Sequence, residues 1–136
     1  MNIFIICSKR FYDRIPKIES ELKELGHELT MPNCYEKPET EDMYINLGPI
    51  EHAKWKSEMI RHSLDVIQNN DAAIVLNFKK DDFDNYIGGA TFIEMYDAFR
   101  LDKKIYLYNS IPKGILHDEI IGFNPIILNG DISKIK

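Results

Sequence analysis

The sequence predicts a doubly wound α/β fold: five parallel strands in the order 2-1-3-4-5, with helices on both faces of one sheet. Three observations carry that prediction. Short runs apolar at almost every position recur along the chain, as in NIFIIC (residues 2–7) and DAAIVLNF (residues 71–78), which suits strands buried on both faces. Segments with three- and four-residue apolar spacing lie between these runs, so strands and helices alternate. A length of 136 residues suits one domain, expected to run over residues 1–136.

Asn2 to Cys7 reads as the first strand. Ile15, Ile18, Leu22 and Leu25 then fall on one helical face, with Pro16 suited to the first turn and Gly26 to the stop. His27 to Met31 is the second strand. Pro32 to Pro49 holds three prolines with Glu36, Glu39, Glu41 and Asp42, and reads as a long acidic loop with one helical turn around Met43. Glu51 to Asn69 is the longest helix, with two apolar stripes: Trp55, Met59, His62, Val66 and Ile67 on one, and Ile60, Leu64 and Ile67 on the other. Asp71 to Phe78 is the third strand, followed by the polar loop KKDDFDNYIGG and a helix from Ala90 to Leu101. Lys104 to Tyr108 is the fourth strand, a short helix lies within Ile111 to Ile121, and Pro125 to Leu128 is the fifth strand before a polar tail. Right-handed crossovers between parallel strands make this the flavodoxin-like, Rossmann-type order.

Composition excludes several classes. Seventeen Lys and Arg against twenty-two Asp and Glu leave a charge of −5, which argues against a nucleic-acid polymer as partner. A small anion remains compatible, because one pocket can differ in sign from the whole surface. No apolar run approaches the roughly 18 residues of a membrane span, so no membrane contact is expected. Cys7 and Cys34 form neither a disulfide framework nor a CxxC pair. His27, His52, His62 and His117 lack the i, i+4 pairing of a helical metal site. The sequence therefore implies no metal and no cofactor. With no charged leader before the first apolar run, a reducing, cytoplasmic setting is the expectation.

In an open parallel sheet, ligands bind beyond the carboxyl ends of the strands, at the switch between strands 1 and 3. That rule selects two loops. One is Cys7-Ser8-Lys9-Arg10-Phe11-Tyr12; the other runs from Asn77 to Thr91 and carries Asn85, Gly88, Gly89 and Ala90. Gly88 and Gly89 permit unusual backbone angles and a close approach of ligand to the main chain, ahead of a helix N-terminus that favours an anion. Phe92, Met95, Tyr96 and Phe99 share a helix face; Glu94 lies off it and is free to point toward the cleft. A competing reading makes Glu94 the far end of a T-x-x-E capping box with Thr91. The fingerprints GxGxxG and Gly-Lys-Ser/Thr are absent, so dinucleotide and triphosphate readings are weak. Cys7 reads as a small buried residue rather than a thiolate nucleophile, and Trp55 as a core or subunit-contact residue rather than a base platform.

Three segments together resemble the nucleoside 2-deoxyribosyltransferase superfamily, which includes nucleoside 5′-monophosphate N-glycosidases. NIFIICSKRFYD resembles its first strand and ligand loop, NNDAAIVLN its third strand, and GGATFIEMYDAFRLDKKIYLY its signature of Gly-containing loop, Glu, helix and strand 4. The resemblance implies that Glu94 is the nucleophile, cleaving or transferring at the N-glycosidic bond of a nucleoside or its monophosphate. It also implies a homodimer. Tyr96 and Asp102 stand where the family usually has Gly, and Ser63, flanked by His62 and Asp65, stands nearest its usual helix Asp. Tyr96 and Ser63 keep a second reading open, that of a catalytically silent nucleotide-binding sensor. The chemistry needs an acid for the departing base, for which Asp84 and His62 are the candidates. Ser8, Lys9 and Arg10 offer a hydroxyl and two cations suited to a 5′-phosphate.

Overall fold

A computed structural model describes residues 1–136. Five parallel strands, β1 (Asn2–Ile6), β2 (Glu28–Thr30), β3 (Ala72–Val75), β4 (Lys104–Leu107) and β5 (Ile126–Ile127), form one sheet in the order β2-β1-β3-β4-β5. The register pairs Ile3 with Leu29 and Ala72, Ala72 with Lys104, and Tyr106 with Ile126. This is the predicted order, and the all-apolar strands explain it. β3 is buried at every position, so both of its faces need cover.

There are five helices, α1 (Ile15–Glu24), α2 (Thr40–Leu47), α3 (Pro49–Gln68), α4 (Gly89–Arg100) and α5 (His117–Gly122), and all but α2 supply that cover. On one face Ile3, Ile5, Ile74 and Tyr106 meet Ile15, Ile18 and Leu22 of α1. On the other, Phe4, Ile6, Ala73, Val75 and Leu107 meet Ile67 of α3, Met95 and Ala98 of α4 and Ile120 of α5. Alternate side chains of each strand thus feed two separate cores, one per face.

The structure departs from the sequence expectation in three places. The single helical turn expected around Met43 is the two-turn helix α2, with Glu41 and Asp42 in its first turn, where carboxylates complement the helix dipole. No residue of α2 is buried, so no apolar stripe announced it. Lys9–Arg14, expected in the connection between the first strand and the first helix, forms a 3₁₀ turn capped by Ser8, whose hydroxyl accepts from the Arg10 N–H. The supposedly polar tail forms a second 3₁₀ turn at Ile132–Lys134 and buries Ile132 and Ile135 against the α1 face.

The strand tips are braced by a polar clasp. Asn77 is fully buried just past β3; its amide donates to the carbonyls of Asn109 and Ser110 at 3.2 and 2.9 Å, and its side-chain oxygen accepts from the Asn109 N–H at 2.9 Å. The Asn109 side chain returns a bond to the Asn77 carbonyl at 3.0 Å. No buried side-chain polar atom in this clasp lacks a partner, which keeps its burial from costing stability and fixes the point where the loop after β3 departs.

Candidate active site

A cavity of about 320 Å³ opens beyond the carboxyl ends of β1 and β3, where the topology predicts it and at the lower end of the small-molecule range. Cys7, Ser8 and Lys9 form one wall, and Trp55, Lys56, Met59, Ile60 and Ser63 of α3 another. Gly88, Gly89, Ala90 and Glu94 form a third, while Glu41 at the start of α2 sits at the rim. No helix is long and apolar enough to cross a membrane. No group of three His, Cys, Asp or Glu side chains lies together as metal ligands do.

Glu94 stands on α4 with Thr91, Met95 and Ala98 turned to the core beside it. The capping-box alternative fails on geometry. The N-cap is Gly88, no side chain caps the helix, and Thr91 is buried inside it rather than at its cap. Phe92, Tyr96 and Phe99 pack around Phe123 at 5.4, 6.4 and 5.5 Å between ring centroids, on a different side of the helix from the cavity. Burial pushes the Glu94 carboxyl up to about 7, and the charge of Asp97 adds to that; a hydrogen bond from Ser63 and the nearby Lys56 ammonium pull the other way. Such a carboxyl changes charge near neutral pH and is suited to exchange protons or to attack as a carboxylate.

Ser63 is 4 % exposed and receives an N–H from the Asn33 amide at 2.7 Å. Asn33 is anchored in turn by the Tyr12 hydroxyl, which donates to its carbonyl at 3.0 Å. Glu41 accepts from His52 at 2.9 Å and from Lys56 at 3.0 Å. Burial works to raise Glu41, but those two bonds and their charge outweigh it and hold the carboxyl below the usual glutamate range. Trp55 is both core and wall: it is 8 % exposed, lines the cavity and stacks on Tyr44 at 5.4 Å. Burial and the Glu94 charge push the Cys7 thiol up to about 12, so it is not a thiolate.

Of the residues singled out in the sequence, Glu94, Cys7, Ser8, Lys9, Tyr12, Trp55, Ser63, Gly88, Gly89 and Ala90 come together on this cavity. Phe11, Arg10, Asp84, Asn85 and His62 do not. Phe11 is buried in the α1-side core, edge-on to Phe78 at 5.6 Å, because the 3₁₀ turn rotates it inward. Arg10 points to an outer groove, paired with Asp81 at 2.7 Å. Asp84 is exposed, and Asn85 takes a turn conformation with φ 55° outside the cavity. His62 is exposed, one position out of phase with the inward-facing Ser63. Gly88 has an ordinary φ of −84°, so its freedom from backbone strain is not the reason for glycine there. Sequence reasoning missed Asn33, Glu41 and Lys56. A signal existed for the last: Lys56, Met59, Ile60 and Ser63 recur at helical spacing on one face of α3.

With this geometry in hand, solved structures supply a comparison. The chain superposes on a 2-deoxyribosyltransferase from the psychrotolerant bacterium Bacillus psychrosaccharolyticus with a TM-score of 0.56 and 21 % identity, covering 88 % of this chain and 80 % of that one. It superposes on the CMP N-glycosidase BcmB of Clostridium botulinum with a TM-score of 0.52 and 19 % identity, covering 95 % and 90 %. No family model matches the chain, and no curated protein matches it significantly in sequence. The chain therefore shares its five-stranded parallel α/β fold with both enzymes over most of its length.

Proposed function

We propose that this protein breaks the N-glycosidic bond of a nucleoside or nucleoside 5′-monophosphate, by hydrolysis or by transfer of the glycosyl group, with Glu94 as nucleophile. The observation that carries the reading is Glu94 itself: a carboxyl raised toward neutrality at the wall of a cavity at the β1/β3 switch point. The two similar folds, one named for deoxyribosyl transfer and one for CMP N-glycosidase activity, support the same chemistry.

The C1′–N bond breaks through a centre with oxocarbenium character. A carboxylate held against C1′ stabilises that positive charge and traps it as a glycosyl ester. Water or a second base then releases the ester and restores the carboxylate. Ser8 and Lys9 share the cavity with Glu94, and they place a hydroxyl and a cation where a 5′-phosphate fits, so a monophosphate is the favoured substrate. The dimer implied by the sequence resemblance belongs to this proposal. Met43, Ile45, Leu47 and Ile50 are exposed around the α2–α3 junction, and the molar mass in solution tests it.

The test is base release. Wild-type protein is incubated with a panel of nucleosides and 5′-monophosphates and free base is followed by chromatography. Release that falls at least about a thousandfold in Glu94→Gln supports the reading. Tight binding without release, unchanged by that substitution, rejects it in favour of a binding module.

A further inference from the structure

Breaking the C1′–N bond leaves an electron pair on the departing base, which needs a proton. Asp84 and His62, the residues expected to provide it, are exposed and outside the cavity. Two cations do line the cavity, Lys9 and Lys56. Lys9 is shared with the outer groove and paired with Asp42 at 3.3 Å. Lys56 takes no part in that groove and belongs to the inner wall.

We propose that Lys56, held in place by Glu41, is the proton donor to the departing base, and that the site takes bases able to accept a hydrogen bond from an ammonium. This rests on the glycosidase reading above. Glu41 fixes the ammonium with one bond at 3.0 Å and is itself fixed by His52 at 2.9 Å. An ammonium has three protons, and Lys56 makes no other hydrogen bond within the protein, so two are uncommitted. The indole of Trp55, stacked on Tyr44, lines the cavity beside it, with the ammonium 5.8 Å from the ring centroid. Lys56 also lies close enough to Glu94 to favour its charged form, which places nucleophile and donor in one cavity.

The step balances. The Glu94 carboxylate forms a bond to C1′ as the C1′–N bond breaks, and the electron pair stays on the base nitrogen. Lys56 passes a proton to the base and becomes a neutral amine. In hydrolysis, water attacks C1′, the Glu94 ester opens back to carboxylate, and the water proton returns to Lys56. Glu41 touches no reacting atom; it is a positioning residue for the ammonium.

Leaving-group dependence tests this. Base release from the best natural nucleoside or monophosphate is compared with cleavage of the 4-nitrophenyl glycoside of the same sugar, whose nitrophenolate departs without a proton. Lys56→Met is expected to slow base release roughly a hundredfold or more and nitrophenyl cleavage less than tenfold. Glu41→Gln is expected to show the same selectivity with a smaller loss. Lys56→Gln serves as a second variant, and thermal melts report folding of each. Equal losses on both substrates, or no loss on either, overturn the assignment of Lys56. Failure of the wild-type protein to cleave either substrate overturns the glycosidase reading, and this proposal with it.

Discussion

Asn33 donates its side-chain amide to the Ser63 hydroxyl at 2.7 Å. An amide N–H only donates, so the bond occupies a lone pair on Ser63 and leaves the hydroxyl proton for another acceptor. Glu94 is that acceptor, and the bond lowers its pKa against the effect of burial. A loop residue after β2 thereby sets the proton affinity of a carboxylate on α4, through α3.

Ser63→Ala removes that bond and should raise the Glu94 pKa further. Other groups coupled to Glu94 are Asp97 on its own helix, Lys56 on α3, Cys7 past β1 and Tyr12 in the 3₁₀ turn. All but Ser63 stay in place in this variant. If Glu94 must be ionised to attack, the acid limb of the kcat/KM profile, expected near pH 7, moves to higher pH. The variant should lose activity severalfold or more below about pH 7 and approach wild type in alkaline buffer. A uniform loss at every pH would mean that Ser63 acts on substrate rather than on Glu94.

Glu94→Gln separates function from stability. The folded-state pKa of about 7 lies above the ordinary value of 4.5, so the native state holds a proton that the unfolded chain has lost in that interval. Stability therefore falls as pH rises from about 4.5 to 7, and the full destabilisation is present above 7. Glutamine stays neutral. The variant should match wild type at pH 4 and exceed it by roughly 1–3 kcal/mol at pH 8, read from urea midpoints, while turnover collapses. Equal stability differences at the two pH values would show that Glu94 is not held protonated by burial.

Strand order and the position of the cleft were legible because β3 is apolar throughout and the alternation of strands and helices is regular. Glu94 was legible because it lies off the apolar stripe of α4. Glu41 and Lys56 were not, since they meet only once α2 packs beside α3, and α2 buries nothing that periodicity can detect. His62, a candidate acid, lies one residue from the inward-facing Ser63. On a helix that is a rotation of about 100°, enough to turn a side chain from cavity to solvent. Arg10 and Phe11 failed because a 3₁₀ turn replaces the expected connection and rotates successive side chains differently.

Lys9 and Arg10 should now behave differently. Lys9 lines the cavity, whereas Arg10 faces the outer groove and is held by Asp81 at 2.7 Å. Lys9→Ala is expected to raise the KM of a 5′-monophosphate about tenfold while leaving the matching nucleoside nearly unchanged. Arg10→Ala should affect both substrates alike and weakly, because an exposed ion pair of this kind contributes little. A selective loss for monophosphate in Arg10→Ala would instead move the phosphate into the outer groove.

Gly89 gives the sharpest test that a ligand lies against the main chain. It is the first residue of α4, and a Cβ added there meets no protein atom within 4 Å. Gly88 differs: its added Cβ would sit 3.1 Å from the Tyr86 hydroxyl, so the ring on the cavity wall would have to give way. On helix propensity alone, Gly89→Ala should stabilise the protein, by up to about 1 kcal/mol. Gly89 nevertheless lines the cavity, so the open space beyond it is where substrate sits in the proposed reaction. The expected result is a higher melting temperature together with a KM raised severalfold and a smaller change in kcat. An unchanged KM in the stabilised variant would place the substrate away from this turn and leave Gly89 with no role in binding.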